Sequence, residues 1–123
     1  MVAGVQVLIC DDEPDIRHLY RSAFQLAGTE VTVARDADEC VALANRLHPN
    51  LVILDLMMPR RDGFSALAEL HDTCPDCHVV IVSAYATPEN TTRAQGMGAD
   101  ACFEKLDFLA RIPSLVSLYE SAA

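Results

Sequence analysis

Short apolar runs alternate with longer amphipathic segments along the chain, and this pair of patterns occurs five times. The run Leu51–Leu54 is typical, because four consecutive apolar residues suit a parallel strand that is covered on both faces. Residues 16–27 instead carry apolar side chains at helical spacing, and Gly28 follows as the expected stop. Because strand–helix–strand connections are right-handed, this order predicts an open parallel sheet with helices on both faces.

Local signals also predict where individual helices begin. Asp36 followed by Glu39 resembles a capping box, and Thr87, which precedes a proline, suits an N-cap. Proline breaks a helix interior, so we expect the last helix to begin at Pro113, with residues 107–111 in a turn.

The charge balance excludes several classes of partner. The 123 residues suit one domain, 1–123, and hold 18 acidic against 9 basic side chains, a net charge of −9. Binding to nucleic acid or to an anionic membrane surface needs the opposite sign. The sequence has no apolar run long enough to span a membrane and no secretory signal at its N-terminus, so we expect a cytoplasmic protein.

The segment Cys74-Pro75-Asp76-Cys77-His78 matches the C-x-x-C-H pattern of covalent haem attachment and contains a C-x-x-C redox pattern. Haem attachment needs export, which no signal indicates. A zinc site needs further ligands, and the chain has no second cysteine pair. We therefore expect a loop with two reduced thiols, as is usual for cysteines of a cytoplasmic protein.

Polar side chains follow four of the five predicted strands. Asp11 and Asp12 follow the first strand, Asp55 follows the third, Ser83 ends the fourth and Lys105 follows the fifth. In an open α/β sheet such positions converge at the carboxyl edge, where ligands bind. Three carboxylates that meet there repel one another, and Mg²⁺, which prefers oxygen ligands and is often shared with phosphate, relieves the repulsion. With the lysine and the hydroxyl, this set is suited to phosphoryl transfer onto a carboxylate.

The chain resembles the receiver domain of bacterial two-component response regulators over essentially its whole length. The resemblance rests on C-D-D-E-P at 10–14, D-L-M-M-P-R-R-D-G at 55–63, Ser83-Ala84, Gly98-Ala99-Asp100 and Lys105. It implies an α/β, flavodoxin-like, doubly wound (βα)5 fold of three layers, with strand order 2-1-3-4-5. It also implies a signalling domain rather than an enzyme, apart from its part in its own phosphorylation and dephosphorylation.

The resemblance assigns roles to the acidic residues. Asp55 is implied as the phosphate acceptor. Asp12 and Asp55 are implied as Mg²⁺ ligands together with the backbone carbonyl of Met57, and Asp11 as a residue that acts mainly through a metal-bound water.

The remaining roles also come from the resemblance. Ser83 corresponds to the hydroxyl that turns toward the phosphoryl group, and Lys105 to the lysine that pairs with it. Met57 and Tyr85 lie where the family controls the access of attacking water, and both are bulky, so we predict slow self-dephosphorylation. Asp62 is expected to cap the third helix.

The resemblance implies classes of partner. A phosphohistidine on a sensor histidine kinase or a phosphotransfer protein is the expected donor, and output passes by protein contact or phosphorelay to an unknown downstream protein. We expect a stand-alone receiver without direct DNA binding and without membrane association, and a homodimer through helix 4, strand 5 and helix 5 remains open. The alternative function is a receiver-like module that binds proteins without being phosphorylated.

Three departures from the family pattern fall on the face formed by helix 4, strand 5 and helix 5. Cys102 stands where the family usually has Tyr or Phe, and Phe103 is expected on the opposite face of its strand. Leu106 replaces a proline, which predicts either a cis peptide bond without proline or a rebuilt loop that shifts Lys105. The third departure is a short last helix that begins late. We therefore expect phosphorylation to be retained and the output surface to be altered.

Overall fold

A parallel sheet of five strands lies between two layers of helices. The computed structural model describes residues 4–122, with side chains through residue 120, so positions 1–3 and 123 of the predicted domain 1–123 lie outside the described residues. The strands are β1 (Gln6–Cys10), β2 (Glu30–Ala34), β3 (Leu51–Leu54), β4 (His78–Ser83) and β5 (Ala101–Glu104). The helices are α1 (Pro14–Leu26), α2 (Ala37–Leu47), α3 (Gly63–Thr73), α4 (Pro88–Gly96) and α5 (Lys105–Ala122).

The strand order confirms the prediction. The sheet runs β2-β1-β3-β4-β5, and its four strand pairs are parallel. β1 pairs with β3, with Cys10 opposite Leu54, so the carboxyl ends of these two strands are neighbours. The chain order reverses between them, and that reversal is the point at which open α/β sheets bind ligands.

Alternate residues along the strands fill two separate cores, as the pleat of a strand requires. On one face Leu8 and Val52 pack with buried side chains of α2, α3 and α4. On the other face Ile9 and Ile53 pack with buried side chains of α1 and α5. Both faces are therefore covered, which accounts for the continuous apolar run of β3.

Side-chain caps form where the sequence predicts them. The backbone N–H of Glu39 donates to Asp36 Oδ1 over 2.8 Å at the start of α2. The backbone N–H of Asn90 donates to Thr87 Oγ1 over 3.1 Å at the start of α4. Gly28 follows α1 with φ +90°, a conformation that residues with a Cβ rarely adopt.

The last helix differs from the prediction. α5 begins at Lys105 and runs for 18 residues with Pro113 in its interior. The predicted start at Pro113 was wrong, because the rule against interior proline considers only the local sequence. Phe108 and Ile112 are fully buried against the sheet, and this burial favours a helix before Pro113. Burial of two such side chains contributes about 1.5–3 kcal/mol each, which offsets a proline penalty of about 3 kcal/mol. Within residues 4–122, no helix combines the length and the apolar character that a membrane span requires.

The junction of β5 and α5 decides between the two alternatives for Leu106. No cis peptide bond occurs between described residues, and α5 starts immediately after Glu104, so the loop is rebuilt as the first turn of a helix. Leu106 is exposed on that turn. Lys105, the first residue of α5, still extends toward the carboxyl edge of the sheet, where it contacts Asp11.

The prediction for Cys74 and Cys77 also needs correction. Their Sγ atoms form a disulfide, so the expectation of two reduced thiols was wrong for this pair. The physical reason is a tight turn after α3, in which the backbone N–H of Cys77 donates to the carbonyl oxygen of Cys74 over 3.1 Å. This turn holds the two Cα atoms 5.5 Å apart, a separation that suits a disulfide.

The substitution Pro113→Ala should raise the free energy of unfolding by about 1–2 kcal/mol. Alanine restores a backbone N–H inside α5 and removes the ring from the preceding turn, while the loss of proline's restriction on the unfolded chain cancels part of the gain. Urea unfolding followed by circular dichroism measures the change. Ser114→Ala, on the same exposed stretch, is the matched control and should stay within about 0.5 kcal/mol. An unchanged or lower stability of Pro113→Ala would contradict the prediction.

Candidate functional site

Three carboxylates meet at the carboxyl edge of the sheet. Asp11 and Asp12 follow β1, and Asp55 follows β3, its neighbour in the sheet. One oxygen from each lies within 4.8 Å of the others. Asp11 and Asp55 are each only 3% exposed, whereas Asp12 is partly exposed at the mouth of the pocket. Oxygen donors at this spacing suit a hard divalent cation, so the donor set fits the metal that the sequence predicts.

Lys105 extends into this pocket from the start of α5. Its Nζ lies 3.0 Å from Asp11 Oδ2 and 3.1 Å from Asp55 Oδ2. β4 separates β5 from β3 in the sheet, so the lysine side chain spans the end of an intervening strand. The hydroxyl of Tyr20 donates to the backbone carbonyl of Lys105 over 3.4 Å, which ties this residue to α1. Lys105 is therefore paired with the acidic pocket, and its pairing with a phosphoryl group stays a prediction.

Burial and charge shift the proton affinities of these groups. Burial raises the pKa of Asp55 from 3.8 to about 6, and the charge of Asp11 adds to the rise, while the hydrogen bond from Met57 opposes it. Burial also raises the pKa of Asp11. For Lys105, burial by itself would lower the pKa, but the hydrogen bond to Asp11 and the charge of Asp55 outweigh burial and raise it. Lys105 therefore stays a cation beside the two carboxyl groups.

The loop from Asp55 to α3 is tightly packed against the acceptor strand. The backbone N–H of Met57 donates to Asp55 Oδ1 over 3.1 Å and holds that carboxylate in place. A Cβ at Gly63 would overlap the backbone carbonyl oxygen of Asp55, so glycine is required there. The backbone N–H of Ser65 donates to Asp62 Oδ1 over 2.9 Å, which confirms the predicted cap of α3.

Ser83 lies at the same edge of the sheet but outside the carboxylate cluster. It is fully buried at the end of β4, the strand that pairs with β3. Its Oγ accepts a hydrogen bond of 3.1 Å from the backbone N–H of Tyr85. Among the described residues, its hydrogen-bond partner is thus a backbone amide rather than Lys105 or a carboxylate. The structure therefore brings four of the five predicted polar residues into one cluster, and the fifth, Ser83, ends the neighbouring strand β4 with its own hydrogen bond to the backbone.

Two further residues at the site were not predicted. Glu13 Oε1 accepts a hydrogen bond of 3.1 Å from Lys105 Nζ. Arg17 Nη1 donates to the backbone carbonyl of Asp11 over 2.8 Å and so supports the loop that carries the carboxylates. The position of Glu13 directly after the acidic pair is the signal that could have found it. The position of Arg17 in the sequence gives no sign of its contact with Asp11.

Comparisons with known proteins agree with this geometry. The family model described as "Response regulator receiver domain" matches residues 7–114. The chain belongs to the response regulator receiver family. The family match and the observed strand order together confirm the predicted receiver fold, and the relatives are response regulators, which are signalling proteins.

Three relatives illustrate the range of similarity. "Probable transcriptional regulator ycf27" of Porphyridium aerugineum is 31% identical over 96% of this chain and 50% of its own length. The receiver domain of Francisella response regulator 1452 is 28% identical, with a TM-score of 0.89 over 98% of this chain and 100% of that one. The receiver domain of NtrX from Brucella abortus is 31% identical, with a TM-score of 0.85 over 95% and 99%. The chain spans about half the length of the first curated relatives it matches.

The two residues before Glu104 lie on opposite faces of the receiver sheet, as predicted. Cys102 is partly buried against the core beneath α2, α3 and α4. Phe103 packs on the other side, where its ring centroid lies 5.6 Å from that of Phe108. Phe103 therefore does not supply an aromatic ring on the α4 side of β5.

The substitution Asp55→Asn should stabilise the receiver by about 1–3 kcal/mol at neutral pH with a chelator present. The change removes one buried charge from a crowded carboxylate cluster, while Lys105 keeps Asp11 as its partner and the amide oxygen can keep the hydrogen bond from Met57. Urea unfolding measures the difference. Asp15→Asn, an exposed change of the same kind on α1, should stay within about 0.5 kcal/mol. A loss of stability in Asp55→Asn would show that the carboxylate is a net stabilising group.

Proposed function

We propose that the receiver accepts a phosphoryl group on Asp55, with Mg²⁺ held by the adjoining carboxylates, and so acts as a phosphorylation-activated signalling domain. The observation that supports this most directly is the position of Lys105 Nζ, within 3.1 Å of oxygens on both Asp11 and Asp55. A partly buried cation beside a buried carboxylate is suited to balance the charge that a phosphoryl group brings. The whole of 1–123 is proposed as a single receiver domain.

The proposed ligands of Mg²⁺ are Asp12, Asp55 and the backbone carbonyl of Met57, with Asp11 acting through a bound water. When bound, the metal neutralises charge on the phosphoryl oxygens and on the clustered carboxylates. The backbone hydrogen bond from Met57 to Asp55 Oδ1 leaves Oδ2 as the oxygen that faces Lys105.

The transfer itself is a displacement at phosphorus. A carboxylate oxygen of Asp55 attacks in line, a new O–P bond forms, and the P–N bond of the donor phosphohistidine breaks with its electron pair returning to the imidazole nitrogen. Lys105 then pairs with a phosphoryl oxygen. The hydroxyl of Ser83, one strand away, accepts a hydrogen bond from the Tyr85 backbone N–H, and by turning toward the phosphoryl group it would exchange that contact for one in which its O–H donates to a phosphoryl oxygen. That exchange of partners is the proposed local switch.

The proposed donor is a sensor histidine kinase or a phosphotransfer protein, and the proposed location is the cytoplasm. A net charge of −9 disfavours direct contact between this domain and DNA, so the signal is proposed to leave by protein contact or phosphorelay. The downstream protein is defined only as one that distinguishes the phosphorylated from the unphosphorylated surface.

Acetyl phosphate with Mg²⁺ should add one phosphoryl group to the wild-type protein, because Asp55 is positioned to attack a small acyl phosphate as well as a phosphohistidine. Intact-protein mass spectrometry detects the adduct. The adduct should be absent from Asp55→Asn and retained in Asp15→Asn, the matched exposed control. A wild-type protein that gains no phosphoryl group from acetyl phosphate or from a histidine kinase would favour the unphosphorylated binding module. An adduct that persists in Asp55→Asn would place the acceptor elsewhere.

The phosphoryl group on Asp55 should be long-lived, because bulky residues stand two positions after Asp55 and two positions after Ser83. These residues, Met57 and Tyr85, are 55% and 58% exposed. Neither is suited to hold an attacking water in line, so Met57→Asn and Tyr85→Glu should each shorten the phosphoryl half-life by about threefold or more. Timed mass spectra after removal of acetyl phosphate measure it. Leu26→Asn, an exposed apolar residue on α1, is the control, and equal half-lives in all four proteins would reject the idea.

The signal is proposed to reach the face formed by α4, β5 and α5, where Cys102 replaces the usual aromatic ring. This face is also the proposed surface for a homodimer. Because Cys102 carries no ring that can swing with Ser83, we expect changes on this face to come from the loop after β4 and from Lys105. Beryllofluoride, a phosphoryl mimic, should shift amide NMR signals within residues 86–118. Shifts confined to the carboxylate pocket would rule out signalling through this face.

A further inference from the structure

A disulfide lies at the opposite edge of the sheet from the carboxylate pocket. Cys74 is the C-cap of α3, and Cys77 directly precedes β4. Ser83, at the other end of β4, marks the pocket edge, so a full strand separates the two places. The phosphoryl chemistry does not use either cysteine.

We propose that Cys74 and Cys77 form a thiol–disulfide exchange site for a reducing thiol, and that Cys77 is the sulfur attacked. The two residues differ in exposure: Cys77 is 9% exposed, and Cys74 is 1% exposed. Both line a cleft of about 200 Å³ that opens between α3 and the loop before β5, with His71, Gly98 and Asp100 on its walls. The cleft gives an incoming thiol a route to the pair.

The surroundings of Cys74 suit a leaving group. Its Sγ lies 3.9 Å from His48 Nδ1 and 3.9 Å from the backbone carbonyl oxygen of Ala44. When the disulfide is reduced, the Cys74 thiol has that carbonyl as an acceptor for its S–H, and the His48 ring is at hand to exchange a proton with the sulfur. The Cys74 thiol of the reduced state therefore has polar partners already in place, which a purely structural disulfide does not need.

The turn does not depend on the bond between the sulfurs. The backbone N–H of Cys77 donates to the carbonyl oxygen of Cys74 over 3.1 Å, so the backbone keeps the two residues close in the reduced state. The bond joins residues only three apart in sequence, and a loop this short removes little entropy from the unfolded chain. The disulfide therefore contributes little to the stability of the fold, which favours a role in thiol exchange.

A metal site at this place is not supported. Within the described part of the chain, the one group of acidic, histidine and cysteine side chains close enough to hold a metal ion is Asp11, Asp12 and Asp55. His71, His78 and Asp100 line the same cleft as the cysteine pair, but they form no such group with it. Exchange with another thiol is the chemistry that the pair can perform with its own atoms.

The exchange has two steps that balance. A thiolate attacks Cys77 Sγ, the bond between the cysteine sulfurs breaks, and its electron pair leaves on Cys74 Sγ, which takes a proton from the His48 ring or from water. A second thiolate attacks the bound thiol's sulfur, leaves with it as a new disulfide and releases Cys77 as a thiolate, which water protonates. The pair gains two electrons and two protons, and two thiols are oxidised.

Equilibration of the full-length wild-type protein in glutathione buffers of increasing oxidation tests the proposal. After acid quench and alkylation, peptide mapping should show Cys74 and Cys77 moving together and reversibly between alkylated and bonded forms. Cys102, which has no partner sulfur, should never enter an intrachain disulfide. A second series with thioredoxin and its reductase distinguishes a protein dithiol from a small thiol, and exchange with either supports the site. A pair that stays alkylated in every buffer, or stays bonded under both reductants, overturns it.

The order of attack has its own test. Cys74→Ser should form a mixed disulfide with oxidised glutathione about tenfold faster than Cys77→Ser, because the thiol left in the first variant is the more exposed one. Where a variant fails to fold, the wild-type protein quenched during partial reduction gives the same information, since trapped glutathione should lie on Cys77. Glutathione on Cys74, or equal rates in the two variants, would overturn the assignment of Cys77 as the attacked sulfur.

Discussion

The contact of Lys105 with two buried carboxylates is the interaction on which the site depends. Asp11 and Asp55 lie on neighbouring strands and repel each other, and Lys105 Nζ lies within 3.1 Å of an oxygen on each. One cation cannot balance three clustered carboxylates, so the pocket keeps an excess of negative charge. A divalent cation can balance that excess. Lys105 and the divalent cation together can then balance the negative charge of a phosphoryl group.

The fold produces this contact through the geometry of its sheet. Parallel strands bring their carboxyl ends to one edge, and the reversal of order between β1 and β3 opens a pocket there. Helices cover both faces, so the polar groups at the edge are partly removed from water. Burial then raises the pKa of Asp55 to about 6. The packing of the two apolar cores offsets the free-energy cost of holding this charged group away from water.

The strands and most of the site could be predicted because their signals are local. β3 is a continuous apolar run with Asp55 at its end, and the pattern repeats from strand to strand. The start of α5 could not be predicted, since it depends on burial of Phe108 in a core assembled from distant segments. The contact of Glu13 with Lys105 joins residues 92 apart, and no spacing rule reaches so far. The disulfide depends on a turn whose closure the sequence does not reveal.

A crystal structure of the protein with Mg²⁺ and beryllium fluoride tests the central claim most directly. The account predicts a fluoroberyllate group bonded to a carboxylate oxygen of Asp55 and a metal ion among Asp11, Asp12 and Asp55. It also predicts that Lys105 Nζ moves from Asp11 to a fluorine, and that Ser83 Oγ turns from the Tyr85 backbone toward the group. A pocket that binds neither ion, or a fluoroberyllate on another residue with Lys105 still on Asp11, would contradict the account.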